Sequence, residues 1–189
     1  MTETQLGGSP LVTFEWTDFN FFKEKFINKI TNDYKPNEIQ SNVAKTTKHN
    51  LWESNFDYLN DEIFFPLKLW LMETSQIYIN QKTNKNYRFV ITESWAHVTD
   101  FGGYHAPHYH PHSTWSGVFY LTTTYTGANT WYMTYNEPKP GLEFLIDTYS
   151  IYPKEGMLAL FPSHILHDAQ PFLEKNSPRI ILSFNAVCL

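Results

Sequence analysis

The first 86 residues space their hydrophobic side chains as helices do. The alternating segment 10–16 predicts an opening strand that follows a frayed terminus over residues 1–9. Thr17 or Asp18 can then cap a helix, because both side chains accept hydrogen bonds from the first free backbone N–H groups. The predicted buried face of this helix consists of residues three and four apart: Phe19, Phe22, Phe26 and Ile30.

A polar, irregular stretch over residues 32–60 predicts a long surface connection to a second helix. That helix is expected to begin at Pro66, since proline is favoured at the first helical position, and to end before the Asn- and Lys-rich residues 80–86. Its apolar residues predict a buried face of Leu67, Trp70, Leu71, Ile77 and Tyr78.

From Tyr87 onward the hydrophobic period changes to two, which is typical of strands. Turn residues separate six predicted strands over residues 87–98, 114–125, 131–135, 142–146, 157–161 and 179–187. The pattern predicts a mainly β fold with N-terminal helices, a sandwich or jelly roll. We expect one domain over residues 1–189, with a helical supporting layer over 1–86 and a β-barrel core over 87–189.

Composition narrows the class of protein. With 42% hydrophobic and 17% charged residues the chain is not a disordered segment, and 17% aromatic residues favour β structure. A single cysteine, Cys188, excludes a disulfide framework and a thiolate zinc site within one chain. The net charge of −5 argues against nucleic-acid binding. No apolar run approaches the length of a membrane span and the first residues lack a secretory pattern, so we expect no membrane partner and a cytoplasmic location.

Four of the eight histidines lie within residues 105–112. In an extended segment residues two apart share a face, so His108 and His110 can offer their imidazoles to one metal ion. His110 and His112 share a face by the same rule, and His105 is a further alternative ligand. The residues alone also allow an exposed polar loop in which the histidines bind nothing.

Two longer spacings resemble the motifs of the cupin superfamily, whose fold is a double-stranded β-helix barrel. One runs from Gly102 through five residues to His108 and His110, and the other from Gly156 through Pro162 to His167. The first motif supplies two metal ligands from one strand, and the second supplies a distal ligand across the barrel mouth. The glutamate that cupins carry after the second histidine is absent, so the match supports the barrel and the ligand placement more than membership of that family.

A larger linked set of motifs extends from Trp95 to Asn185. It comprises Trp95, Gly103, His108-Tyr109-His110-Pro111-His112-Ser113, Ser116-Gly117-Val118-Phe119-Tyr120, Phe161-Pro162-Ser163, His167 and Arg179-Ile180-Ile181-Leu182-Ser183-Phe184-Asn185. This set is similar to the iron(II)/2-oxoglutarate-dependent oxygenases, which use the same barrel, and in particular to a phage and bacterial branch of them. A phage protein of this kind would act in the host cytoplasm.

The resemblance implies an oxygenase, a hydroxylase of unknown substrate, with Fe(II) as cofactor and 2-oxoglutarate and O2 as co-substrates. It places the iron on His108, His110 and His167. It implies that Arg179 binds the distal carboxylate of 2-oxoglutarate, with Ser183 and Tyr120 as further candidates. The superfamily's second ligand is usually a carboxylate, so an all-histidine site keeps the full charge of the ion, which a dianionic 2-oxoglutarate would neutralise.

Two other functions stay open at this point: a cupin-like three-histidine metalloenzyme that does not use 2-oxoglutarate, and a non-catalytic jelly-roll binding protein.

Arg179, considered alone, could also reach solvent or a nearby glutamate from the end of its strand. Asp100 could accept a hydrogen bond from an imidazole N–H or be an ordinary loop residue. We expect packing or exposed roles for three other histidines: His49, His97 and His164. We expect a core or rim position for an aromatic cluster: Trp115, Phe119, Trp131, Tyr132 and Tyr135.

Overall fold

A computed structural model of the chain describes residues 1–6, 8–35, 48–123, 129–134 and 146–189. Within these ranges it contains two α-helices, α1 (Phe19–Asp33) and α2 (Phe65–Thr83). The described strands are β1 (Thr2–Leu6), β2 (Ser9–Glu15), β3 (Lys48–Glu53), β4 (Phe89–His108), β5 (Trp115–Thr122), β6 (Asn129–Thr134), β7 (Ile146–Ile151), β8 (Met157–Pro162), β9 (His167–Ala169) and β10 (Arg179–Cys188). Neither described helix combines the length and the apolar character that crossing a bilayer requires.

The ten described strands form one antiparallel sheet in the order β1-β2-β8-β5-β10-β4-β9-β6-β7, and β3 pairs with β4 beside this path. The long strand β4 connects two parts of the sheet. Its first half pairs with β10, and its last residues pair with β9. The mainly β class with N-terminal helices that the sequence predicts is confirmed.

Alternation along the central strands separates two apolar clusters. Phe119, Leu182 and Phe184 belong to the cluster that includes the helices, whereas Val118 and Ile181 belong to a second cluster on the opposite face of the sheet. The two faces follow from the period of two, because neighbouring residues of a strand point to opposite sides. The helices therefore cover one face of the sheet, and the other face is the interior in which a site can form.

The first helix confirms the sequence prediction closely. Phe19, Phe26 and Ile30 are buried, and Phe22 is partly buried against the stacked Trp16 ring, with ring centroids 5.4 Å apart. Asp18 is the N-cap residue but its side chain makes no capping hydrogen bond.

The second helix begins one residue earlier than predicted and buries most of the expected face. Leu67, Leu71 and Tyr78 are buried, and Trp70 is partly buried. Ile77 is 51% exposed, so its predicted burial is wrong, and Ile79 is buried instead. At 3.6 residues per turn, a face through Leu67 and Leu71 places position 77 toward the solvent side.

Two stretches that the sequence predicts to be irregular contain strands. The predicted frayed terminus is wrong, because β1 pairs with β2 and Leu6 is buried. The predicted surface connection over residues 32–60 is wrong over residues 48–60, where β3 pairs with β4 and Trp52, Tyr58 and Leu59 are buried. These apolar residues lie among polar neighbours in short segments, which conceals their periodicity. Part of that connection, residues 36–47, lies outside the described residues.

Strand boundaries also differ from the prediction. β4 continues ten residues beyond its predicted end at Val98, through Gly102 at a φ of 76°. β9 is not predicted, because three residues are too few to show a period. Of the predicted strand 142–146, only Ile146 is described, and it begins β7.

The predicted aromatic cluster is described only in part. Phe119 is buried and Trp115 partly buried, which confirms their core position. Trp131 and Tyr132 lie in β6, and Tyr135 lies outside the described residues. The single domain over residues 1–189 stays a prediction, as does its division at residue 86. The predicted helical layer also contributes strands, because β1, β2 and β3 join the sheet.

Candidate metal centre

Three histidines converge at the end of β4. His108 is opposite His167 in the register of β4 and β9, so both side chains emerge on the same face of the sheet. His110 follows two residues later, and its backbone N–H donates to the carbonyl oxygen of Ser163 at 2.9 Å. One potential ligand atom of each histidine lies within 4.8 Å of the others, and no carboxylate belongs to this cluster in the described part of the chain.

The separations suit a single ion with histidine ligands. The Nε2 atoms of His110 and His167 are 3.3 Å apart. Two imidazole nitrogens bound at right angles to one ion at about 2.1 Å would be about 3.0 Å apart. The donor set therefore fits a first-row divalent metal such as iron(II), for which imidazole is a suitable ligand.

Backbone carbonyls select the tautomers of two of these rings. Nδ1 of His108 lies 2.9 Å from the carbonyl oxygen of Ala106, and Nδ1 of His167 lies 2.9 Å from that of Ile165. A carbonyl oxygen can only accept, so each Nδ1 carries the proton and each Nε2 keeps a lone pair for a metal. Asp100, which the sequence allowed as an acceptor for an imidazole, lies in β4 and accepts a hydrogen bond from the Tyr34 hydroxyl instead.

Burial keeps His167 neutral. Its side chain is almost fully enclosed, and this desolvation lowers the pKa of His167 well below its usual value. The neighbouring rings of His108 and His110 lower the pKa further, because a second positive charge close by is unfavourable. At neutral pH the ring is therefore ready to bind a cation without first losing a proton.

The lowered pKa of His167 predicts that the metal-free protein loses stability in mild acid. An unfolded chain protonates His167 below about pH 6.5, whereas the folded chain does not, so the unfolded state binds more protons and stability falls as the pH falls. For a ring that stays neutral, this costs about 1.4 kcal/mol one pH unit below that value. Urea unfolding at about pH 7.5 and about pH 5.5 measures the loss. A His167→Gln variant should lose less, and an equal loss would contradict the assignment.

The other histidines occupy distinct positions. His105 is buried and stacks on His108 with ring centroids 3.8 Å apart, but it does not join the cluster. His112 is exposed at a φ of 67° and is likewise outside the cluster, so the alternative pair His110 and His112 is not assembled. His164 is exposed, as predicted for a rim residue, and the side chain of His49 lies outside the description.

His97 is a pocket residue that the sequence analysis missed. It is buried and lines the same cavity as the three histidines, and its Nε2 lies 2.8 Å from both Glu53 Oε2 and Trp95 Nε1. The indole of Trp95 lies against His110, with ring centroids 5.7 Å apart. The sequence predicts a structural or exposed role for His97, and the structure shows in addition that the ring forms part of the cavity wall.

Ser116, Ser163 and Asn185, for which the sequence predicts no role, form a buried polar network. The Ser116 hydroxyl donates to Asn185 Oδ1 at 2.7 Å and lies 2.8 Å from the Ser163 hydroxyl. Asn185 Nδ2 donates to Glu93 Oε1 at 2.6 Å. Since the Ser163 carbonyl holds the backbone of His110, this network fixes the loop that carries the second histidine.

The three residues predicted to bind 2-oxoglutarate lie on adjacent strands of the interior face. Arg179 and Tyr120 are fully buried, and Ser183 lines the cavity of the histidines. The guanidinium carbon of Arg179 is 5.7 Å from the centroid of the Phe172 ring, and burial lowers the pKa of Arg179 from its usual value. The alternative that Arg179 reaches solvent from its strand end is wrong, because the side chain is 0% exposed.

Residues 93–185 match the sequence model of a family described as "Putative 2OG-Fe(II) oxygenase". The match spans every candidate ligand and Arg179. The match covers just under half of the chain and confirms the resemblance to the iron(II)/2-oxoglutarate-dependent oxygenase superfamily. The suspected family is thereby confirmed, and with it the enzymatic class and the use of Fe(II) and 2-oxoglutarate.

Solved structures of oxygenases share the fold at low sequence identity. A Pseudomonas putida prolyl-4-hydroxylase is 14% identical with a TM-score of 0.62, over 95% of this chain and 92% of that one. A viral collagen prolyl hydroxylase from Paramecium Bursaria Chlorella virus-1, in complex with 2-oxoglutarate, is 15% identical with a TM-score of 0.59, over 93% and 94%. The epimerase SnoN, in complex with Fe3+, alpha ketoglutarate and nogalamycin RO, is 11% identical with a TM-score of 0.70, over 97% and 79%.

These similarities confirm the predicted double-stranded β-helix fold for this oxygenase. No match was found among curated protein sequences.

Proposed function

We propose that this oxygenase is a hydroxylase that holds iron(II) on His108, His110 and His167. The observation that carries the proposal is the convergence of three imidazole ligand atoms within 4.8 Å of one another. The rings of His108 and His167 each keep an Nε2 lone pair for the metal, because their Nδ1–H groups donate hydrogen bonds to backbone carbonyls. Three protein ligands on one side of an ion leave positions open for a co-substrate and O2.

Arg179 and Tyr120 are proposed to hold the distal carboxylate of 2-oxoglutarate. A guanidinium is permanently charged and offers paired N–H donors that match a carboxylate. The phenol of Tyr120 interacts electrostatically with Arg179, and burial raises the pKa of Tyr120, so its hydroxyl remains a donor. Ser183 is proposed as a further contact, because it lies on the face of β10 that lines the cavity.

Iron and 2-oxoglutarate supply oxygen activation when bound: the co-substrate is converted to succinate and CO2, and one oxygen atom of O2 enters a C–H bond of the substrate. The chain's own contribution is to orient these partners and to exclude water. Phe161 lies against His167, with ring centroids 4.6 Å apart, and Val118 and Ile181 add apolar wall. Such a wall strengthens the polar contacts inside the cavity. Two of the structures that share the fold are hydroxylases, which supports the reaction class.

The cytoplasmic location stays a prediction from the sequence.

A two-stage experiment tests the proposal. Anaerobic addition of iron(II) and then 2-oxoglutarate to the purified protein should produce a weak visible charge-transfer band, because the co-substrate binds the metal directly. Admission of air should then convert 2-oxoglutarate to succinate. If neither the band nor succinate forms with iron-loaded protein, the proposal is wrong. Succinate formed equally without added iron in metal-stripped protein would also contradict it.

A further inference from the structure

Thr99 carries a buried hydroxyl for which the structure shows no acceptor. The residue is 0% exposed, and its Oγ1 makes no hydrogen bond with any described residue. Its methyl group is accommodated by Gly103, where an added Cβ would lie 2.6 Å from Thr99 Cγ2. Buried hydroxyls are nearly always hydrogen-bonded, because leaving one without a partner costs free energy. A polar group that reaches this point from outside the chain would remove that cost.

The position of Thr99 relates it to the proposed co-substrate site. Thr99 is directly opposite Arg179 in the register of β4 and β10, so the two side chains share a face of the sheet. Trp95 and His97 precede Thr99 on this face of β4, and both line the cavity of the three histidines. Ile181 and Ser183 continue the matching row on β10 and line the same cavity. Thr99 and Arg179 therefore occupy the next position of a continuous row that begins at the candidate metal centre.

We propose that Thr99 donates a hydrogen bond to the distal carboxylate of 2-oxoglutarate beside Arg179. The inference rests on the proposed function, and it adds a binding residue that no motif in the sequence indicates. A hydroxyl donor next to a guanidinium is suited to an acceptor with several lone pairs, which a carboxylate provides. Thr99 thus contributes to the preference for a 2-oxo acid with a second carboxylate over one that ends in a methyl group.

The test compares two co-substrates in three proteins. Anaerobic calorimetry with iron(II)-loaded protein measures the Kd of 2-oxoglutarate and of 2-oxopentanoate, which has a methyl group in place of the distal carboxylate. Thr99→Val removes the hydroxyl at nearly constant shape, and Thr99→Ser retains it as the matched control. Thr99→Val should weaken 2-oxoglutarate about tenfold, as expected for a lost hydrogen bond to a charged group, and leave 2-oxopentanoate unchanged. Thr99→Ser should stay within about threefold of the original protein for both.

Thermal unfolding without co-substrate provides an independent readout. Because the hydroxyl of Thr99 has no hydrogen-bond partner among the described residues, Thr99→Val should keep or raise the Tm of the metal-free protein. A lower Tm would show that the hydroxyl has another partner, such as a buried water, and would overturn the inference. Equal weakening of both co-substrates, or of neither, would also overturn it.

Failure of the proposed function has a different signature. If the original protein binds 2-oxoglutarate no more tightly than 2-oxopentanoate, the site at Arg179 does not recognise a distal carboxylate at all. If the original protein discriminates and Thr99→Val discriminates equally, the proposed function stands and only the role of Thr99 is wrong.

Discussion

Replacing His167 with alanine is expected to weaken iron(II) binding by more than about a hundredfold, since even the loss of a group that only orients a ligand costs ten- to a hundredfold. The expectation follows from geometry: His167 is the ring that both other histidines approach, with its Nε2 3.3 Å from that of His110 and its ring centroid 4.3 Å from that of His108. Removal leaves two ligands, of which His110 lies beyond the end of β4. Anaerobic metal titration of tag-free protein measures the change, with bound iron quantified after gel filtration.

Two other histidines provide matched controls for this experiment. His164 lies three residues before His167 and is exposed, and His112 lies two residues after His110 and is exposed. His164→Ala and His112→Ala should both retain one iron per chain. Loss of iron in His112→Ala with retention in His167→Ala would instead select the alternative pair of ligands and reject the cluster. Circular dichroism of each variant shows whether the sheet is intact.

Replacing Arg179 with methionine is expected to weaken 2-oxoglutarate binding by at least about a hundredfold, because two hydrogen bonds to a charged group are lost together. The side chain is fully buried on the interior face, and solvent cannot replace it there. Iron binding should be unchanged, since Arg179 is not part of the histidine cluster. Anaerobic calorimetry with 2-oxoglutarate measures the effect on the iron-loaded protein.

The Arg179→Met comparison requires an intact fold, and methionine is chosen because it supplies an apolar side chain of similar length at this fully buried position. Urea unfolding without co-substrate checks this point. Arg88, the other arginine of the chain, is exposed, so Arg88→Met is the matched control and should bind 2-oxoglutarate normally. If Arg179→Met folds and still binds 2-oxoglutarate as tightly as Arg88→Met, the proposed role of Arg179 is wrong.

The sequence predicts the class of fold because its two periods are each repeated over many residues. Phe19, Phe26 and Ile30 recur at helical steps, and the strand around Phe119 and Leu121 alternates, so local spacing alone identifies which side of each element is buried. Short elements escape this reasoning. β9 has three residues, and the terminal strand β1 lies among small polar residues, so neither shows a period of its own.

The candidate site is likewise predictable only in part. The pair His108 and His110 can be inferred from a spacing of two, and the resemblance to the oxygenases adds His167 and Arg179. That His105 packs on His108 without joining the cluster, or that His97 lines the cavity, has no local signal, because both depend on how β4 pairs with its neighbours.

By itself the sequence determined the β-rich architecture, the histidine-rich segment after residue 104 and the chemistry available to it. Only the tertiary structure decided which of the histidines converge and that Thr99 lies opposite Arg179. The physical reason is that strand register is set by the packing of the whole sheet: His108 faces His167 across fifty-nine positions of chain, and a slip of one residue would turn either ring to the opposite face.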